Sequence, residues 1–445
     1  MSARWSSRFA FIMATTGAAV GIGNIWKFPY MAGDNGGSAF VLVYLIAVAL
    51  VGLPAMLGEI ALGRLGRANP IDTLSQLALK YRASPKWELV SWLGALALLL
   101  ILAFYSVVAG WSLGYLFKAL IGELNHVNPE ASTKLWHYFL SQAPELLLWH
   151  TVFMFLTLWV VKLGIHKGLE RASVWMMPAL LIILLCLVAY SSINGDMKAA
   201  LEFLFSPDFS KLSPTVLLNA LGHAFFSLAV GAGCLLVYGS YLPNNKPLLG
   251  NTLIIVILNL LVALLAGLAI FPLVFAYGLP PEGGPGLMFK VLPVAFGLMP
   301  YGQFMGCLFF LLLFFAAWTS SISLAEPLVT IAIEKKKWTR HQSSWLIGSL
   351  GWFLGVLALL SFNYGQSIQL FGRNIFESMV DLSINILLPL GGLGFVLFSG
   401  WIIPATALSQ GLNLKEASSA FRLIHFLLRY IAPLGILLIL LGSFF

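Results

Sequence analysis

Charge is scarce in this chain: 9% of its 445 residues are Asp, Glu, Lys or Arg. With 60% hydrophobic residues and a mean hydropathy of +0.92, there is too little polar surface to clothe a water-soluble globule. Cysteine is nearly missing, and Cys186, Cys234 and Cys307 all lie in apolar runs, so no disulfide framework is expected. Asn-x-Ser/Thr is absent, which gives no indication of N-glycosylation. The first apolar run carries Gly and polar residues without a small-residue cleavage site, and no removable signal peptide is expected. No basic cluster comes with an aromatic reading surface, so the net charge of +8 does not indicate nucleic acid. No His cluster, metal-ligand spacing or nucleophile with a paired base suggests an intramembrane enzyme.

What the chain has is apolar runs long enough to cross a bilayer. They fall at 8–35, 39–63, 88–120, 146–163, 170–190, 214–240, 248–277, 302–333, 342–361, 373–403 and 421–443, giving eleven expected spans in a single transmembrane domain over 1–445. The densest Lys/Arg clusters run from Arg64 to Lys86, Lys162 to Arg171 and Lys335 to Arg340, all on the side of the N-terminus. By the positive-inside bias that side is cytoplasmic, and the expected location is the inner (plasma) membrane. The connections 122–145 and 191–213 are polar and outside, and 278–301 is a mixed outer loop with short amphipathic pieces.

One stretch is built against helix formation. Gly17, Gly21 and Gly23 weaken the ladder and Pro29 lacks an amide proton, so backbone groups around 19–24 need other partners. At membrane depth that is tolerated only around a cavity or a buried ligand. The half-helix beginning near Asn24 would offer amides and a positive dipole end to an anion, and the carbonyls before it would face a cation. This describes a carboxylate beside sodium. Cutting the first ten spans into 8–190 and 214–403 puts an interrupted span first in each half, the second break running from Ser227 to Gly233. Such pairing points to an inverted repeat around a central site, although membrane helices also carry Gly simply to pack closely.

The residues themselves resemble the neurotransmitter:sodium symporters, and within them the bacterial amino-acid transporters of the leucine-transporter fold. The likeness is carried by Ala19-Val-Gly-Ile-Gly-Asn-Ile-Trp-Lys-Phe-Pro29, by Asn35-Gly-Gly-Ser-Ala-Phe40 and by Gly52-Leu-Pro with Glu59 and Gly63-Arg64. It continues through Phe104-Tyr105 with Trp111, His223 to Ser227, Tyr238-Gly-Ser-Tyr241, Asn259 and Phe314 to Ser321. It implies an all-α polytopic membrane protein, a 5+5 inverted repeat with discontinuous spans 1 and 6, and an eleventh span.

The resemblance also implies roles. A first sodium site would use Asn24, Asn259, Ser227 and the carbonyl of Ala19. Neutral amides in apolar spans can ligate sodium without stranding a carboxylate in lipid, and they suit an interhelical hydrogen bond equally well. A second would use Thr319 and Ser320 with the carbonyls of Gly17, Val20 and Ala316; the plain alternative for the hydroxyls is back-bonding to the previous turn. The substrate would lie among Ala19, Val20, Gly21, Gly23, Ile101, Tyr105, Phe226, Ser227, Ala229, Ala232, Ser321 and Leu324. Gly21 stands where amine-transporting relatives carry Asp, which argues for an amino acid.

Lys27 and Asp381 correspond to an outer gate, with Lys where Arg is commoner; two snorkelling charges are the alternative. Trp5, Ser240, Tyr241 and Glu334 correspond to an inner gate, but the Arg expected about three residues before Trp5 is missing, with Arg4 or Arg8 as substitutes. Gly168 and Pro178 resemble a motif that lets span 5 unwind, or mark only a kink. Ala263 replaces the Ser or Glu found near the family's anion position, so a chloride requirement is not expected. His223, where Gln is usual, is either a neutral hydrogen-bonded holder or a proton-sensitive group. The expected function is sodium:amino-acid symport of a neutral, large hydrophobic or aromatic substrate by alternating access. A non-transporting amino-acid receptor or sensor is the alternative from another class, and a channel the alternative within transport.

Overall fold

Where no water is available, a chain satisfies its backbone by coiling into helices. The computed structural model describes residues 4–243, 246–281, 286–370 and 372–442. The missing-arginine position at Ser2, part of the outer loop after Gly278 and the end of the last expected span at Ser443 lie outside them. Among the described residues nine helices are long and apolar enough to cross a membrane. They are spans 2 (Ser38–Gly66), 3 (Pro85–Leu120), 4 (Ala143–Lys162), 5 (Ile165–Asn194), 7 (Leu248–Ala276), 8 (Gly302–Lys336), 9 (Arg340–Leu360), 10 (Ile375–Ile402) and 11 (Ser419–Gly442). Span 1 is a bent pair, Arg8–Ala19 and Gly23–Asp34, meeting at 51°. Span 6 consists of Pro214–Ser227 and Cys234–Ser240, separated by unwound backbone over 228–233. Both expected breaks are present.

Each break has a local cause. In span 1, Val20 is extended (φ −79°, ψ 100°), and its amide closes the first half by donating to the Thr16 carbonyl at 2.6 Å. The second half opens as a π turn, Gly23–Lys27, followed by a helix that carries Pro29 in its first turn, where a missing N–H costs little. In span 6 the chain turns left-handed at Ala229, Gly231 and Gly233. At Gly231 (φ 97°) a Cβ would also meet the Leu388 carbonyl oxygen at 2.5 Å, so only glycine fits. The buried Glu59 of span 2 accepts the Gly231 amide at 2.9 Å, as expected of a carboxylate serving unwound backbone.

Packing sets the breaks side by side. The first half of span 1 lies against spans 5, 7 and 8, and the inner half of span 6 lies on span 2. There Gly63 faces the Leu236 carbonyl and Gly239 the Ile60 carbonyl, each leaving no room for a Cβ.

A two-residue β ladder pairs Gln369–Leu370 with Arg373–Asn374 beside the helices that make up the fold. The polar connections 122–145 and 191–213 contain helices, Pro129–Ser141 and Met197–Phe205, each capped by the side chain before it, Asn128 and Asp196. Span 5 runs as continuous helix through Pro178. Its irregularity comes earlier, at Gly164 (φ 86°) and the π turn Ile165–Glu170.

Candidate functional site

The two breaks face one cavity, completed by spans 3, 8 and 10. Ala19, Gly21, Gly23, Ile101, Tyr105, Phe226, Ser227, Ala229, Ala232 and Leu324 line it as expected, and no charged side chain does. Val20 and Ser321 do not line it. The extended Val20 buries its side chain and sends its carbonyl towards span 8. On span 8 successive residues point about 100° apart, so Ser320 rather than Ser321 is the wall hydroxyl. Ala18, Leu98, Cys234 and Leu388 also line the cavity, and nothing distinguishes them from other small or apolar residues in apolar runs. The Tyr105 hydroxyl accepts the amide of Ile22 at 3.0 Å and is thereby fixed to the unwound backbone. A Cβ on Gly21 would meet it at 2.6 Å and the Ser320 hydroxyl at 2.5 Å.

Asn24, Ser227 and Asn259 converge beside this cavity. Asn24 Nδ2 donates to the Asn259 carbonyl and Oδ1 at 3.1 and 2.9 Å, while its own Oδ1 is buried and accepts nothing. An acceptor left so costs about 1–3 kcal/mol, and neutral oxygens are the donors that sodium takes. Tyr44, absent from the expected set, joins the group: its hydroxyl lies 3.2 Å from Ser227 Oγ and accepts Asn259 Nδ2 at 3.4 Å. Ala263 is buried without a hydroxyl. His223 packs its ring on Phe28, Phe40 and Tyr44, and neither ring nitrogen makes a hydrogen bond, so it is not the hydrogen-bonded holder expected.

On the opposite side of span 1, Ser320 Oγ donates to the carbonyls of Gly17 and Val20 at 3.1 and 3.3 Å. Thr319 Oγ1 donates to Phe315 and Ala316 at 3.0 and 3.1 Å, so the back-bonding alternative holds for Thr319 in this structure. Gly17 leaves its Cβ position 3.2 Å from Thr319 Cβ and 3.4 Å from Met177 Sδ, which brings spans 1, 5 and 8 together at one point.

The outer gate differs from expectation. Lys27 and Asp381 do not pair: the Lys27 ammonium stands 4.8 Å over the Phe226 ring. Asp381 is bound by Arg373 from the β ladder and accepts Asn385 Nδ2 at 2.9 Å. Phe226 and Leu388 form the partition between the inner cavity and an outer one that contains Lys27, Asn219, His223 and Asn385.

The inner gate keeps Trp5, Ser240 and Tyr241 but not Glu334. Trp5 Nε1 donates to the Tyr238 carbonyl at 3.0 Å and its amide to Tyr241 at 3.3 Å. The Ser240 carbonyl accepts Arg67 Nη1 at 2.8 Å. Tyr241 donates at 3.2 Å to Glu326, about two turns before Glu334 on the same helix. Glu326 is wholly buried and paired two-pronged with Arg340, whose Nε donates to the Val161 carbonyl at 2.8 Å. Glu334 instead accepts both nitrogens of Asn69 at 2.8 and 2.7 Å. Arg8 donates to Asn251 at 2.7 Å, and among the described residues neither Arg4 nor Arg8 pairs with a carboxylate.

The model of the sodium:neurotransmitter symporter family matches residues 2–137 and 140–445. The uncharacterised sodium-dependent transporter YhdH of Bacillus subtilis is 38% identical over 443 residues, covering 99% of this chain and 97% of that protein. The sodium- and chloride-dependent GABA transporter 2 of Mus musculus is 25% identical over 409 residues, covering 80% of this chain and 67% of that one. The crystal structure of MhsT in complex with L-phenylalanine superposes with a TM-score of 0.92 at 40% identity over 99% of both chains. The chain therefore belongs to the sodium:neurotransmitter symporter family, as a membrane-embedded, sodium-coupled transporter of the leucine-transporter fold and not an enzyme.

Proposed function

We propose that this protein is a sodium:amino-acid symporter working by alternating access, with a preference for large hydrophobic or aromatic amino acids. The observation that carries the reading is the buried, unpartnered Asn24 Oδ1 beside a charge-free cavity between two broken helices. In it, Asn24, Asn259, Ser227 and the Ala19 carbonyl hold one sodium, whose shell the substrate carboxylate completes. Gly17, Val20, Ala316, Thr319 and Ser320 hold a second. The amino-acid side chain occupies the apolar wall, where an ionic one would be buried unpaired. The structural relative was crystallised in complex with L-phenylalanine, which supports the substrate class. Residues 8–190 and 214–403 form the two inverted repeats, in an inner membrane with the N-terminus cytoplasmic, and chloride is not required.

The test is uptake of labelled Leu, Phe and Trp into proteoliposomes under an imposed sodium gradient, with Gly, Asp and Lys as competitors. Uptake that collapses when sodium is equalised is the expected result; binding without uptake would make the protein a receptor, and Gly competing as well as Phe would overturn the size preference. Asn24→Ala should weaken sodium and substrate together by about 5- to 150-fold, since coupling is reciprocal. An unchanged sodium titration of substrate binding would remove Asn24 from the site.

A further inference from the structure

Adjacent residues of the amino-terminal segment hold two different spans. Trp5 grips the inner half of span 6 through the Tyr238 and Tyr241 carbonyls. Ser6 grips span 5: its hydroxyl donates to Glu170 Oε1 and its amide to Oε2 at 3.3 Å. Glu170 is buried, although Ser6 is exposed, and His166 Nδ1 lies 3.1 Å from the same Oε2. The carboxylate closes the π turn Ile165–Glu170, the irregular opening of span 5. The chain just before that turn is held as well, since Arg340 Nε takes the Val161 carbonyl and Gly168 sits where a Cβ would meet the Val160 carbonyl at 2.1 Å. A bulged turn with His166 and Lys167 exposed stays in place only while its surroundings hold it.

The same two spans come close again higher up, where the Cβ position of Gly17 in span 1 lies 3.4 Å from Met177 Sδ of span 5, beside Thr319. From Ser6 to Gly17 and from Glu170 to Met177 the chain is largely helix, rising about 1.5 Å per residue, so the two contacts are about 10 to 17 Å apart. A stiff helix held at both points cannot tilt away from its neighbour without breaking one of them.

We propose that Glu170 is a positioning residue of the transport cycle: its clasp on Ser6 makes the start of span 1 and the opening turn of span 5 release together, and ties that release to sodium occupancy at Gly17 and Ser320. This rests on the symport reading above. Sodium that bridges spans 1 and 8 holds span 1 upright and keeps Ser6 within reach of Glu170. When sodium leaves, span 1 tilts, the clasp opens, and the turn Ile165–Glu170 loses its carboxylate anchor.

The experiment is hydrogen–deuterium exchange of the full-length protein in nanodiscs, following amides Ile165 to Ser173 in sodium and in potassium. In the unmodified protein sodium slows exchange there. Glu170→Gln and Ser6→Ala raise the sodium-protected rate roughly 3- to 10-fold, the factor expected from losing one hydrogen bond, strongest where the acceptor is charged. Ser6→Thr, which keeps the hydroxyl, restores protection, a result that a merely structural role for the serine would not give. By linkage the half-saturating sodium concentration rises by a similar factor in the first two variants. If Glu170→Gln fails to fold, Ser6→Ala at an exposed position decides alone. Sodium protection of the turn that is the same in Ser6→Ala as in the unmodified protein, or absent from the unmodified protein, would overturn the clasp. Sodium-driven uptake by the unmodified protein separates that failure from failure of the symport reading.

Discussion

The two ends of the transport path are closed by different physics. At the outer end the cavity is roofed by Phe226 and Leu388, with one cation over the Phe226 ring and the gate carboxylate Asp381 drawn off to Arg373. At the end that holds the amino-terminal segment, Trp5, Tyr241, Glu326 and Arg340 are joined by hydrogen bonds around a buried ion pair, with Arg67 on the Ser240 carbonyl. An apolar roof costs little to lift once water can follow, whereas parting a buried pair strands a charge. The Phe226 end is thus the easier one to open from this arrangement, and the Glu326 end needs a coordinated release.

The sharpest way to break this comparison is to disrupt one ion pair at each end. Glu326→Gln leaves Arg340 without its partner and should cost on the order of 3–5 kcal/mol, read as a lower unfolding temperature in sodium and as labelling of the inner cavity from the cytoplasmic side. Asp381→Asn, at a pair whose arginine is more than half exposed, should cost about 1 kcal/mol or less. Equal losses for the two would show that the ends are closed alike.

A medium effect tests the cavity between them. Ala232→Phe should fill the wall and discriminate against Phe and Trp by about 1–3 kcal/mol relative to Ala, measured by competition against a labelled substrate; an unchanged rank order would remove Ala232 from the pocket. Gly94→Ala should act in the same direction from behind, because its Cβ would lie 2.8 Å from the Ala232 carbonyl oxygen and push that backbone inward. Gly21→Asp is a poor test of charge: any Cβ there collides with Ser320 and Tyr105, so Gly21→Ala must be measured beside it, and only a further loss in the Asp variant reports repulsion.

The smallest expected effect is at the roof. Lys27→Met removes a cation–π contact of about 0.5–2 kcal/mol and should raise the substrate dissociation rate several-fold while leaving the unfolding temperature nearly unchanged. A loss of stability as large as that of Glu326→Gln would mean that Lys27 has a partner that the Phe226 contact does not account for.

The sequence by itself determined the class, the long apolar spans and both breaks, because these follow from properties carried along the chain: apolar length, Gly and Pro where a ladder must fail, and Asn where lipid forbids charge. It also made the neutrality of the cavity wall legible, since few charged residues were available to line it. Only the tertiary structure decided which partner each polar group takes. Asp381 turns to Arg373 of a short hairpin, Glu334 to Asn69, and the inner pairing passes to Glu326 and Arg340. Tyr44 joins Ser227 and Asn259 across 183 and 215 residues of sequence, and Ser6 finds Glu170 across 164. A carboxylate in a helix shows its charge in the sequence, but the cation or amide it meets is fixed by rotation and tilt of whole helices. In lipid those are set by the packing of small residues such as Gly63 and Gly239 and by no local signal.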